Sequence, residues 1–185
     1  NTYPRFRCAD EQVTLEDVFE QTTYIGGVQF KGSKILGIRN NEHLAQIKML
    51  QADTTFMEFH GNQFLFSASG WSCSHAQLMV HYDGDTLSHP DVQCRYNKKR
   101  NQIAAYRQEE GLGQQPFIDT YHALDWDVPG ILWDVNSTRV QIGSALDAGQ
   151  EIAQFSSANY FEQSSFDAIQ GIDPVNPVVE VYRLT

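Results

Sequence analysis

The chain reads as a single α+β domain, and three kinds of signal lead there. Stretches rich in β-branched and aromatic residues alternate over the two-residue period of a strand. Other stretches carry apolar residues at helical spacing behind capping residues. Gly-, Asp- and Pro-containing turns separate them. With 185 residues the chain suits one domain able to bury about two thirds of its unfolded surface.

In order, Tyr3 to Cys8 alternates aromatic and basic residues as a first strand. Thr14-Leu15-Glu16-Asp17 has the Ser/Thr-x-x-acid form of a capping box and predicts a helix through Gln21, ended by Gly26-Gly27. From Asn40 to Gln51, Leu44, Ile47 and Leu50 recur at helical spacing behind Asn40 or Asn41. Thr54 to Phe59 and Gln63 to Ser69 alternate as two strands of a hairpin closed by His60-Gly61-Asn62, and Ser74 to His81 follows as a short helix. Asp83 to Pro90 is rich in turn residues. Phe117 to Asp125 and Ile131 to Val135 read as strands about Val128-Pro129-Gly130, and Leu146 to Phe155 as a helix. Tyr160 to Phe166 is an exposed strand, and Val178 to Leu184 a closing one after a Gly-Ile-Asp-Pro turn.

Charge and cysteines narrow the function classes. With 13 Lys plus Arg against 23 Asp plus Glu the net charge is -10, which argues against nonspecific binding to nucleic acid or anionic membranes. No apolar run approaches the roughly 20 residues of a membrane-spanning helix, so no membrane span is expected. The opening Asn-Thr, in place of Met, fits a processed, secreted form or a trimmed chain. Cys8, Cys73 and Cys94 permit one internal disulfide with one thiol over, their pairing open, and no spacing marks a metal site. Asn136-Ser137-Thr138 is a glycosylation sequon. Arg95, Lys98, Lys99, Arg100 and Arg107 gather five of the 13 basic residues, most simply on a solvated strand and turn.

Several segments resemble those of the cholera-like and pertussis-like ADP-ribosyltransferase toxins, in the same order along the chain. Phe6-Arg7-Cys8-Ala9-Asp10 and Leu15-Glu16-Asp17-Val18-Phe19 look like the strand and helix that open those enzymes. Asn41-Glu42-His43-Leu44 is similar to their substrate-contacting histidine segment, and Phe66-Ser67-Ala68-Ser69 to their aromatic-Ser-Thr-Ser strand. Glu162-Gln163-Ser164-Ser165, with Val179-Glu180-Val181-Tyr182-Arg183 beyond it, resembles their catalytic-glutamate segment. Tyr121 to Val135 is similar to their central strand pair, and about Tyr82 to Gln115 is unmatched and would be an insertion.

The resemblance implies two packed, mostly antiparallel sheets around an NAD cleft, with flanking helices. It implies NAD as substrate, a host protein as target, a delivery or binding subunit as an option, and secretion with action inside a host cell. Arg7, Asp10, Ser67 and Ser69 would bind the cofactor, and His43, Glu162, Gln163 and Ser165 would stand at the catalytic centre. The family's catalytic Glu falls on Ser165. Cleavage of the nicotinamide bond passes through an oxocarbenium-like state that a carboxylate stabilises, and a hydroxyl supplies no such charge. Loss of one well-placed group of this kind costs on the order of 2.7 to 4 kcal/mol. The expectation is therefore an inactive or impaired transferase serving as an effector or binding module. An active mono-ADP-ribosyltransferase is the alternative, and a ribonuclease T1-like effector a weaker one.

Overall fold

The computed structural model describes residues 5–137, 140–143 and 153–157. Its strands are β1 (Arg5–Phe19), β2 (Thr22–Lys31), β3 (Lys34–Ile38), β4 (Ala45–Gln51), β5 (Thr54–Gly61), β6 (Gln63–Ser67) and β7 (Gly70–Tyr82). They continue as β8 (Asp85–Asn97), β9 (Gln102–Arg107), β10 (Phe117–Asp119), β11 (Leu124–Asp127), β12 (Gly130–Asp134), β13 (Val140–Ile142) and β14 (Gln154–Ser157). A 3-10 turn, Gly111–Gln114, lies between β9 and β10.

All fourteen strands belong to one antiparallel sheet. Its pairing is a meander whose passes are interrupted. β3 and β4 both lie against β2, β3 on Gly27 to Lys31 and β4 on Thr22 to Ile25, so they are two halves of one pass separated by a loop. β5 and β6 likewise share the partner β7 and are parted only at Asn62. β9 and β10 share β8, while β11 and β12 extend the same pattern outward. Breaks of this kind let a long twisted sheet bend without losing its ladder. The sheet curls over: Phe19 at the end of β1 packs edge-on against Tyr96 of β8, ring centroids 5.6 Å apart, although those strands do not pair.

This architecture overturns the expectation of an α+β fold of two packed sheets with flanking helices. Among the described residues there is no α-helix. The proposed helix after Asn40 is a loop followed by β4, where Ala45, Ile47 and Met49 are buried at period two. Leu44, which completed the helical spacing, is exposed. The proposed helix of Ser74 to His81 lies in β7, with Ala76, Leu78 and Val80 buried and alternate residues facing outward. Thr14 to Asp17 belongs to β1, where the register slips between Leu15 and Phe19 and Asp17 takes φ 50°, so the apparent capping box marks a bulge. His60-Gly61-Asn62 closes no hairpin, because β5 and β6 are successive parts of one pass. Of Leu146 to Phe155, the described end enters β14, and the rest lies outside the described residues.

The inner face of the sheet holds one continuous core that includes Tyr24, Ile47, Phe59, Phe64, Trp71, Leu78, Val92 and Ile103. Trp71 is its aromatic hub, with Phe59, Phe64 and Tyr96 rings at 4.9, 5.8 and 6.3 Å. Burying a large apolar side chain contributes roughly 1.5 to 3 kcal/mol, so this face holds the curl in place. β7 turns into β8 through Asp83-Gly84, both at positive φ, the Asp-Gly pairing that two-residue hairpins favour.

Candidate functional site

One end of the core is open. Between β1, β2, β3 and β6 lies a cavity of about 700 Å³, lined by Leu15, Val18, Phe30, Ile35 and Phe66 among others. Its place follows from pleat and register. Val28 and Phe30 on β2 share a face, Phe30 stands opposite Ile35, and Ile35 opposite Phe66. The floor is Tyr24, fully buried, whose Oη donates to the carbonyl of Gly27 at 2.5 Å and to that of Ile38 at 3.3 Å. Burial holds the phenol of Tyr24 well above its ordinary pKa, against the opposing effect of the Ile38 bond, so it stays neutral.

Apolar side chains remain uncovered at the mouth: Leu15, Phe30 and Ile35 are 39%, 41% and 43% exposed. The polar lining is sparse and comprises Ser33, Ser67 and Lys98. The ion pairs of the described Lys and Arg residues use Lys48 and Arg107, which leaves the Lys98 ammonium without a carboxylate partner among the described residues. Lys31 and Lys34 flank Gly32-Ser33 in the β2–β3 turn beside the same opening. Glu16 and Asp17 lie between the lining residues Leu15 and Val18 on β1, so the opening carries both signs of charge.

Of the candidate catalytic and cofactor-binding residues that are described, Ser67 alone lines this cavity, and Lys98 of the basic cluster joins it. Its Oγ lies 3.0 Å from Ser69 Oγ and donates to the Gly70 carbonyl at 3.0 Å, and Ser69 itself sits in the β6–β7 turn. Arg7 is exposed on β1 opposite Gln29, on the face away from the Phe6 and Phe30 pair. The backbone of Asp10 falls in β1 where the register with β2 is broken. His43 is exposed in the β3–β4 loop, its backbone N–H donating to Asn40 Oδ1, beyond the Ile38 end of β3, whereas Ser67 lies at the Lys34 end. Arg7, His43 and Ser67 therefore do not converge. Glu162, Gln163 and Ser165 lie outside the described residues.

Phe30 and Ile35 were not singled out in the sequence, and Lys98 was read only as one of a solvated basic cluster. The available signal was Phe30-Lys31-Gly32-Ser33-Lys34-Ile35, a two-residue Gly turn between apolar positions.

Three polar clusters lie elsewhere. Lys48, His60 and His81 surround Glu58 on the outer face, with His60 Nε2 3.0 Å from its carboxylate. Although burial opposes it, the His60 hydrogen bond with the Lys48 and His81 charges holds Glu58 below its ordinary pKa. Buried Asp119 accepts from Tyr82 Oη at 2.5 Å and from His122 Nδ1 at 2.7 Å, locking the turn after β10. A shallower cleft of about 460 Å³ carries His75 and Asp91, 3.1 Å apart. No group of three or more His, Cys, Asp and Glu side chains is placed to hold a metal ion among the described residues.

No family model matches this chain, and no curated protein or solved structure is significantly similar to it.

Proposed function

We propose that this chain is a binding module for a small apolar molecule carrying an anionic head group, held in the cavity between β1, β2, β3 and β6. The observation that carries this reading is an aromatic and aliphatic cavity of about 700 Å³ whose rim cation, Lys98, has no carboxylate partner among the described residues. That volume lies within the roughly 300 to 1,000 Å³ of small-molecule sites, which pair apolar walls with a few polar groups that fix orientation. Each Å² of ligand hydrocarbon withdrawn from water contributes about 25 cal/mol. The head group would lie toward Lys98, with Lys31 and Lys34 adding to the attraction. A binding role without transferase chemistry needs neither the helices nor the NAD cleft of the toxins, and nothing in the described residues supports the NAD, host-target or delivery-subunit expectations.

The test is fluorescence titration with cis-parinaric acid and with its methyl ester. The acid should bind saturably and more tightly than the ester, and Lys98→Ala should bring the two close together. No saturable binding of either probe, or equal binding of both to the unmutated protein, would sink the reading.

A further inference from the structure

We propose that oxidation joins Cys73 to Cys94 in a cross-strand disulfide linking β7 to β8 and leaves Cys8 as the free thiol. The sequence leaves three pairings open, and strand register decides among them. Cys73 and Cys94 are direct partners in the β7–β8 ladder. Residues opposed in this way have α-carbons about 4.5 or 5.5 Å apart, and both spacings fall within the roughly 4.4 to 6.8 Å that a disulfide spans. Both thiols lie in the core, and as direct ladder partners they share one sheet face. Cys8 sits on β1 opposite Val28, with β2, β3 and β6 intervening before β7.

Two further features favour the bond. The register slips immediately after the pair, between Cys73 and Ala76, and a bulge there gives the backbone room to adjust the sulfur positions. Gly61 on the neighbouring strand leaves space for the Cys73 sulfur, since a Cβ at that position would lie 2.8 Å from it. The two thiols also differ in character. The hydrogen bond from Cys94, against the opposing effect of burial, draws Cys73 below its ordinary pKa, while burial pushes Cys94 well above.

With a small disulfide such as oxidised glutathione, the thiolate of one of the two cysteines attacks one sulfur and expels a glutathione thiolate, giving a mixed disulfide. The other cysteine, giving up its proton, then attacks the protein sulfur of that mixed disulfide and expels the second glutathione. The protein loses two electrons and two protons, and one glutathione disulfide becomes two thiols. Both cysteines are buried, so the exchange takes place while β7 and β8 are still assembling.

The test refolds the unmutated chain in a buffer of oxidised and reduced glutathione, alkylates it under denaturing conditions and maps the peptides by mass spectrometry. The expected product carries one alkyl group, on Cys8, and one linked peptide pair containing Cys73 and Cys94. Its thermal midpoint should exceed that of the same protein after dithiothreitol. Three alkylated cysteines, or a linkage through Cys8, would overturn the assignment. Cys8→Ser provides the second arm: the Cys73 to Cys94 linkage should persist, and its loss in that variant would equally overturn it.

Discussion

The ring of Tyr24 stands where a side chain at Gly37 would begin: a Cβ built there lies 2.5 Å from Tyr24 Cε2 and 2.8 Å from the Phe66 ring. Gly37 lies on β3 directly opposite Val28, at the seam between cavity and core. The glycine is set by close approach of an aromatic ring to the backbone, with no unusual dihedral required.

Gly37→Ala should therefore destabilise the chain by about 1 to 3 kcal/mol through overpacking, read as a lower urea midpoint. Tyr24→Phe tests the same floor from the other side. It leaves the Gly27 and Ile38 carbonyls without their donor and should cost roughly 1 to 3 kcal/mol. An unchanged midpoint in both variants would mean that the floor of the cavity is not packed as described.

The turn between β4 and β5 is Ala52-Asp53, with φ 49° and 61°. Two consecutive positive φ values describe the turn type that prefers Asn-Gly, and a Cβ at each position is strained there. Replacing Ala52 by Asn and Asp53 by Gly should raise stability by about 0.5 to 1 kcal/mol, measured as a higher thermal midpoint with unchanged circular dichroism. A lower midpoint would contradict the geometry.

His89 is buried with both ring nitrogens engaged. Nε2 donates to the Gln115 carbonyl at 2.7 Å, and Nδ1 accepts from the Asp91 N–H at 3.1 Å. Burial, the largest effect, holds the imidazole below its ordinary pKa, and a proton on Nδ1 would break the Asp91 bond. A depressed folded pKa means that the unfolded chain binds more protons in this window. The contribution of His89 is thus fully present above the unfolded value of about 6.5 and is lost as pH falls through the folded pKa. Urea midpoints should decline on acidification below about pH 6.5, and His89→Phe should flatten that decline.

Asp119 responds in a lower window. Its side chain is 1% exposed, and although burial opposes ionisation, the Tyr82 and His122 hydrogen bonds hold its carboxyl below the usual range. Its contribution is present above the unfolded pKa of about 3.9 and is lost as pH falls through the folded value. Tyr82→Phe removes a hydrogen bond to a buried charge and should cost about 1.5 to 3 kcal/mol at neutral pH. Carboxyl NMR should show Asp119 titrating below an exposed aspartate, and titration at the ordinary value would refute the arrangement.

Strand existence was legible in particular stretches. Thr54 to Phe59, Gln63 to Ser69 and Ile131 to Val135 read as strands, and β5, β6 and β12 run through most of each, because alternation of buried and exposed positions is local. The helical readings failed where two periods overlapped. Leu44, Ile47 and Leu50 keep helical spacing, yet Ala45, Ile47 and Met49 keep strand spacing, and burial on the sheet selected the second. The Arg7, His43 and Ser67 constellation failed for a different reason: short motifs in the same order do not place side chains on one face.

By itself the sequence determined the acidic balance and the alternation of particular strands, since each depends on composition or on residues a few positions apart. Only the tertiary structure decided that the split passes form one curled meander, that Lys98 stands over an apolar cavity and that Cys73 faces Cys94. Those relations arise from strand register, in which a slip of one residue moves every side chain to the opposite face. Register is fixed by the burial of the whole core, so no single stretch of the chain encodes it.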